Sequence, residues 1–333
     1  MKKYNWEVDV PVYMIFFNRP EPLKKVFESV KKARPSKLFL ACDGPRTGRS
    51  DDIENIKTCR EIVEDIDWEC EVYKNYSDVN LGCGMRMYSG VSWAFEKVDR
   101  LIIIEDDCVL SQDFYRFAAE LLEKYKDDDR IYMINAMNHL GVYKNTPYSY
   151  FFSAGCCWGW ATWKRAWDNM DFDMTFMQDD YSMKCVEHAY PYYTNAIKEG
   201  NEKLEILNKG GRLTSWTYQC GMATALNAQL CITPKVNLVT NVGLTADSTH
   251  AVSNIKKLPR VTQQYFNMPT YPLEFPLKHP KYIVVDRMYD EEVGKKFKST
   301  IFSKIDGLVR RIIYYEKGDL KMYMKKIEKR FRG

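Results

Sequence analysis

The sequence predicts an α/β protein built on a mostly parallel sheet covered by helices on both faces. Three observations carry this. Apolar runs such as VPVYMIFF, KLFLAC and LIII have no polar alternation, as expected of strands buried on both sides. Segments of helical periodicity separate them, and each run stops abruptly at a polar cluster. A parallel order with right-handed helical crossovers satisfies all three.

In chain order, Val10–Phe17 is the first strand and ends at Asn18-Arg19-Pro20. Glu21–Ala33 reads as a helix with Leu23, Val26, Phe27 and Val30 on one face. Lys37–Cys42 is the second strand, stopping at Asp43-Gly44-Pro45-Arg46, and Ile53–Ile66 the second helix. A short third strand over Cys70–Tyr73 leads through the NLGCG turn to a helix over Met85–Lys97. Leu101–Ile104 is the fourth strand and runs into Glu105-Asp106-Asp107. Ligands of such sheets bind beyond the carboxyl ends of the strands, so these polar groups are expected on one edge.

Beyond Ser111 the pattern gives a helix over Gln112–Lys126, a strand over Ile131–Ala136, an aromatic loop region over Tyr143–Trp167 and helix near Tyr190–Asn208. A strand-like segment, ITPKVNLVTNVG, follows. The expected division is 1–110 and 111–256 as two halves of one domain, the first for a nucleotide-sugar and the second for an acceptor. Residues 257–333 then form a Pro-rich linker and a basic helical tail.

Composition narrows the class. With 333 residues, 45% hydrophobic and 28% charged, the chain has enough apolar surface for a core. No apolar run approaches the roughly 18 residues of a membrane span. The N-terminus has no apolar signal stretch, so a cytoplasmic location with reduced thiols is expected for the ten scattered cysteines. The net charge of +4 comes from the tail: residues 281–333 carry 15 Lys/Arg against 8 Asp/Glu, leaving the first 280 net acidic. That argues against nucleic acid as a partner of the main body.

The sharpest chemical signal is IIIEDD. Adjacent unit charges at 4 Å and an effective dielectric near 20 repel by about 4 kcal/mol, which a cation would relieve. Mg²⁺ or Mn²⁺ characteristically combines one or two carboxylates with substrate phosphates. Arg19, Arg46 and Arg86 lie at strand-to-helix transitions, where anions find charge and free N–H groups. Neither GxGxxG nor GxxxxGK[ST] is present, so nucleotide binding would work through metal and arginine.

The blocks FFNRP, LFLACDGPR, NLGCG, IIIEDD, CCWGWATWKRAWD, SWTYQ and PKVNLVTNVGLTADSTH, in that order over about residues 10 to 250, resemble bacterial sugar transferases of GT-A fold. These are capsule and O-antigen enzymes related to the Golgi N-acetylglucosaminyltransferases. The resemblance implies a Rossmann-like sheet and transfer from a nucleotide-diphosphate donor, UDP-linked, to a glycan or lipid-linked glycan, with inversion. It places Arg19 and Asp43 about the uracil and ribose, Glu105 and Asp106 facing ribose and sugar, and Asp107 with His250 on Mn²⁺ or Mg²⁺; Asn18, Arg46 and Arg86 are further nucleotide candidates by their positions after the strands. Related proteins often have Asp where this chain has Thr217, and a threonine cannot serve as a base at neutral pH. Asp179, Asp180 and Glu187 are the substitutes.

Trp158, Trp160, Trp163 and Trp167 form either a sugar-binding wall or a core wedge of helical spacing; Trp158 and Gly159, with Trp216, are the candidates for the site. In the tail, Phe297, Ile301, Ile305, Leu308 and Ile312 make one stripe, suited to an anionic membrane surface through residues 295–333, to the chain's own domain or to a second subunit. Two other classes stay open: a metal-dependent nucleotidyl or phosphoryl transferase, and a non-catalytic sugar-binding module.

Overall fold

In the computed structural model, the described residues are 9–155, 158–190, 193–244, 260–297, 306, 309, 310 and 313. An eight-stranded mixed sheet forms the centre. Its first half comprises β1 (Val12–Phe16), β2 (Lys37–Cys42), β3 (Glu71–Tyr76) and β4 (Arg100–Glu105), all parallel, in the order β3-β2-β1-β4. Between them run α1 (Pro20–Ala33), α2 (Ser50–Ile62) and α3 (Cys83–Phe95).

Side-chain alternation explains why β1, β2 and β4 are apolar almost throughout, whereas the edge strand β3 is part-exposed. Val12, Met14 and Phe16 of β1, with Ile102 and Ile104 of β4, belong to a core under α1 and α2. Tyr13, Leu101 and Ile103 point the other way, into a core under α3. α1 begins with Pro20, buries Leu23, Val26, Phe27 and Val30, and ends where Arg34 turns left-handed at φ 52°.

The second half carries α4 (Gln112–Lys124), β6 (Ile131–Asn135), β7 (Tyr150–Ser153), β8 (Trp160–Trp163) and α5 (Lys164–Trp167). α6 (Asp180–Ala189), α7 (Ala196–Asn208), α8 (Thr217–Leu226) and β9 (Leu230–Pro234) follow. The sheet continues β4-β8-β6-β9-β7, with β8 antiparallel to both β4 and β6. The aromatic region read as loop is therefore about half regular, in β7, β8 and α5. Trp160, Trp163 and Trp167 are core residues, 0–3% exposed, on a strand and the short helix after it rather than on one helix.

A two-stranded ribbon positions the site. β5 (Cys108–Leu110) pairs antiparallel with β10 (Val239–Asn241), matching Cys108 to Asn241. This brings the chain beyond Asn241 back to the end of β4.

Residues 260–297 do not behave as linker or free tail. Met268, Leu273 and Leu277 enter the main core, Val285 bridges Phe152 in parallel, and Tyr289 packs with Tyr143 and Phe151. The prolines suit this path because backbone without an N–H is tolerated at sheet edges. α9 (Arg260–Gln263) and α10 (Arg287–Phe297) complete the described elements. Among the described residues no helix is long and apolar enough to cross a membrane. All five residues of the stripe from Phe297 to Ile312 lie outside the described side chains.

Candidate functional site

The buried run of β4 delivers Glu105, Asp106 and Asp107 to the carboxyl edge of the sheet, next to the end of β1. Arg19, at that end, crosses the gap. Its Nη2 donates to Asp106 Oδ1 and to Asp107 Oδ2, the latter at 3.0 Å, and Nε donates to Asp106 Oδ2 at 3.3 Å. Burial works against the guanidinium charge, but the two carboxylates outweigh it and raise the Arg19 pKa above its ordinary value. Asp107 Oδ1 accepts from Asn241 Nδ2 and from Cys108 Sγ, each at 3.3 Å. The chain from the ribbon closes over this carboxylate: a Cβ on Gly243 would stand 2.2 Å from Asp107 Oδ2.

Glu105 has a different environment. Burial first, and then the charges of Asp107 and Asp106, push its carboxyl up to about 8, with Arg19 opposing. The same effects, burial foremost, raise Asp106 against the pull of Arg19. One guanidinium thus shares three acidic neighbours, and the corner carries excess negative potential.

The other nucleotide candidates hold loops. Asp43 is buried, and three backbone N–H groups converge on it: Gly44 (3.0 Å) and Leu81 (2.8 Å) on Oδ1, Gly82 (3.0 Å) on Oδ2. It therefore fixes the NLGCG turn against the end of β2. Asn18 Nδ2 donates to Asp52 Oδ1 at 2.7 Å, and Arg46 grips the same carboxylate through Nε and Nη2, both at 2.7 Å. Asp52 is fully buried, and the Arg46 hydrogen bond holds its carboxyl below the usual range. Sequence reading missed Asp52, although an acid in the first turn of α2 is a standard helix-start signal. Arg86, also buried, donates through Nη2 to the carbonyl of Asn75 and to Asn75 Oδ1 (3.0 Å), pinning α3 to β3.

Beside the acidic corner opens a cavity of about 690 Å³, lined among others by Glu105, Trp158, Trp216, Thr217, His139 and Asp290. The size suits a small organic ligand or sugar units. Trp158 adopts φ 84°, an uncommon backbone for a bulky residue. Gly159 follows at φ 68° and leaves no room for a side chain, since a Cβ would meet Leu110 Cδ2 at 2.4 Å. The pair leaves Trp158 part-buried at the edge of the core, 5.3 Å from Phe266, while Trp160 stays inside, stacked on Trp216 at 5.2 Å.

Thr217 opens α8, and its hydroxyl lies 2.6 Å from Ser215 Oγ. The other base candidates lie away from the cavity. Asp179 caps α6 by accepting from Tyr181 and Ser182 N–H (3.1 and 3.0 Å), and Asp180 is exposed in its first turn. Glu187 accepts the Ile197 N–H at 3.0 Å. The lining residues His139, Tyr289 and Asp290 are not singled out by the sequence. In the charged run DRMYDEE, Asp290 looks like any solvated acid.

His250 lies outside the described residues. Gly243, seven positions earlier, is against Asp107. Among the described residues no three His, Cys, Asp or Glu side chains gather as a metal site. The donor chemistry present, paired carboxylates at a strand end, fits a hard divalent cation completed by phosphate oxygens, not one caged by the described side chains alone.

The sequence matches no protein-family model and no curated protein. Among solved structures it is similar to a UDP-glucose pyrophosphorylase complexed with UDP-glucose, at 10% identity and TM-score 0.32, over 69% of this chain and 91% of that one.

Proposed function

We propose that the chain is a metal-dependent glycosyltransferase of GT-A type that moves a sugar from a nucleoside-diphosphate donor, UDP-linked, onto a glycan or lipid-linked glycan, with inversion. The observation that carries this reading is the double membership of Glu105. It belongs to the acidic corner with Asp106 and Asp107, and it also lines the aromatic cavity. A diphosphate held at the corner leaves its sugar at the mouth of that cavity, with Trp158 and Trp216 on its walls.

Mn²⁺ or Mg²⁺, held by Asp107 with His250, would supply positive charge against the departing diphosphate. The chain's own residues do the rest. Arg19 orients Asp106 and Asp107 and is the cation already in place. Asp43 sets the backbone of Leu81 and Gly82 beside the nucleotide. Glu105, at the junction of the acidic corner and the cavity, faces the donor's sugar. The acceptor hydroxyl, held in the cavity, attacks the anomeric carbon at its mouth. The basic tail would bring a lipid-linked acceptor within reach.

The test is a panel of nucleotide sugars with Mn²⁺ or Mg²⁺, reading release of free nucleoside diphosphate. Asp107→Ala is expected to abolish it. Release of pyrophosphate or a nucleoside triphosphate instead would assign the site to nucleotidyl transfer. Donor binding without any turnover would mark a binding module.

A further inference from the structure

We propose that Asp290, on α10, is the general base of this site, removing the proton from the acceptor hydroxyl. The inference rests on the glycosyltransferase reading and supplies what it lacks, because Thr217 cannot act as a base and Asp180 and Glu187 lie elsewhere. Among the described residues lining the cavity, two are carboxylates: Glu105 and Asp290. Glu105 adjoins the acidic corner, where the donor's diphosphate would sit. Asp290 comes from the C-terminal segment, which contributes nothing to that corner among the described contacts. The pair therefore divides into a donor-side and an acceptor-side acid.

The position of Asp290 is built. The Ala154 N–H donates to its carboxylate, tying it to the end of β7, and the residue is 8% exposed. Its neighbour Tyr289 accepts the His139 N–H at 3.0 Å and packs 4.5 Å from Phe151 and 5.2 Å from Tyr143, ring centre to ring centre. Lys296, two turns further along α10, donates to the His139 carbonyl at 2.9 Å. These contacts hold the helix against the sheet and keep a charged side chain at an aromatic wall.

Arg287 lies on its own helix and Asp286 just before it, while His139, from the segment after β6, and Glu105 line the same cavity. Lys296 is next to His139, whose ring is kept neutral because burial, and then Lys296, depress it to about 4. Burial pushes the Asp290 carboxyl up to about 6, with Arg287 opposing and Asp286 adding to the rise. Such a carboxylate is ionised at neutral pH yet more basic than a solvated one, as a base needs.

The step balances. An Asp290 oxygen takes the hydroxyl proton as the acceptor oxygen bonds to the anomeric carbon. The bond from that carbon to the diphosphate oxygen breaks, and its electron pair leaves on the nucleoside diphosphate. Asp290 then returns the proton to water.

The experiment measures transfer by the full chain with its donor and acceptor between pH 5 and 9. Asp290→Asn is expected to lower kcat by about 10²–10⁴-fold while donor affinity and KM change by only a few-fold. The wild-type rise in kcat through pH near 6 should vanish, and Asp290→Glu should restore part of both rate and profile. If the Asn variant loses its near-ultraviolet circular dichroism, Asp290→Ser is read instead by the same measures. An active wild type matched by the variant in kcat and pH profile overturns the role of Asp290 alone. A variant that loses donor binding in step with rate makes Asp290 a structural anchor and overturns it too. A wild type that turns over no nucleotide sugar overturns this and the function beneath it.

Discussion

The Arg19 guanidinium donates to Asp107 Oδ2 at 3.0 Å across 88 positions of sequence, and the same nitrogen donates to Asp106. The two acids and the base are mostly buried, with side chains 7–16% exposed. The carboxylates cannot shed their charge to water, so Arg19 is their counter-ion in the free protein. A metal arriving with a diphosphate joins a site that is already partly neutralised.

Arg19→Ala should therefore destabilise the fold by about 3–5 kcal/mol at neutral pH, the usual cost of stranding one side of a buried pair. The loss should shrink as pH falls. Glu105 and Asp106 already have raised folded pKa values, and without Arg19 these rise further. A raised carboxyl contributes stability below its unfolded pKa and loses it as pH rises through the folded one. Urea titrations at pH 5 and 8 measure the difference.

Gly243→Ala tests the ribbon's closure on the acid. The new methyl would overlap Asp107 Oδ2 at 2.2 Å, so the carboxylate or the strand must move. Metal-dependent donor affinity is expected to fall at least tenfold with stability reduced by about 1–3 kcal/mol. Calorimetric donor titration with and without Mn²⁺ reads it.

Asp43→Ala removes the acceptor of three backbone N–H groups. One buried and two part-buried donors lose their partner, so a loss of about 2–4 kcal/mol is expected. The NLGCG turn should show it first, as faster hydrogen exchange at Leu81 and Gly82 than elsewhere.

The tryptophans should separate by role. Trp160→Ala, from a fully buried site, should cost about 3–5 kcal/mol. Trp158→Ala, at the cavity, should change stability by much less and raise the KM for a sugar substrate. Denaturation midpoints and steady-state kinetics on both variants decide; equal stability losses would put Trp158 in the core.

Asp290→Asn should be more stable than the wild type above pH 6, by about 1–2 kcal/mol after allowing for partial solvent screening. The sign follows from the folded carboxyl at about 6 against 3.8 unfolded: its contribution is complete below pH near 4 and is lost as pH rises through 6. An amide carries no such penalty. Thermal melts at pH 5 and 8 check it.

Much of this molecule is legible along the chain. The alternation of apolar runs and helices predicts the first four strands and their parallel order, because β1, β2 and β4 must each bury both faces; β3 is the part-exposed edge strand. The polar clusters after them fall on one edge for the same reason, and with them come Arg19, Asp43, Glu105, Asp106 and Asp107. The reversal of β8 is not legible, since WATW is apolar in either direction and its partners are set by closure of the sheet.

Local pattern by itself fixed the strand ends and the acidic run at the end of β4. Tertiary structure alone decided which groups meet there: that Arg19 neutralises Asp106 and Asp107, that Asn18 and Arg46 turn instead to Asp52, and that Asp290 returns from the C-terminal segment to line the same cavity as Glu105. The reason is physical. Periodicity records which face of an element is buried, but a charged side chain's partner depends on which distant backbone the packed core brings within 3 Å, and no local window carries that.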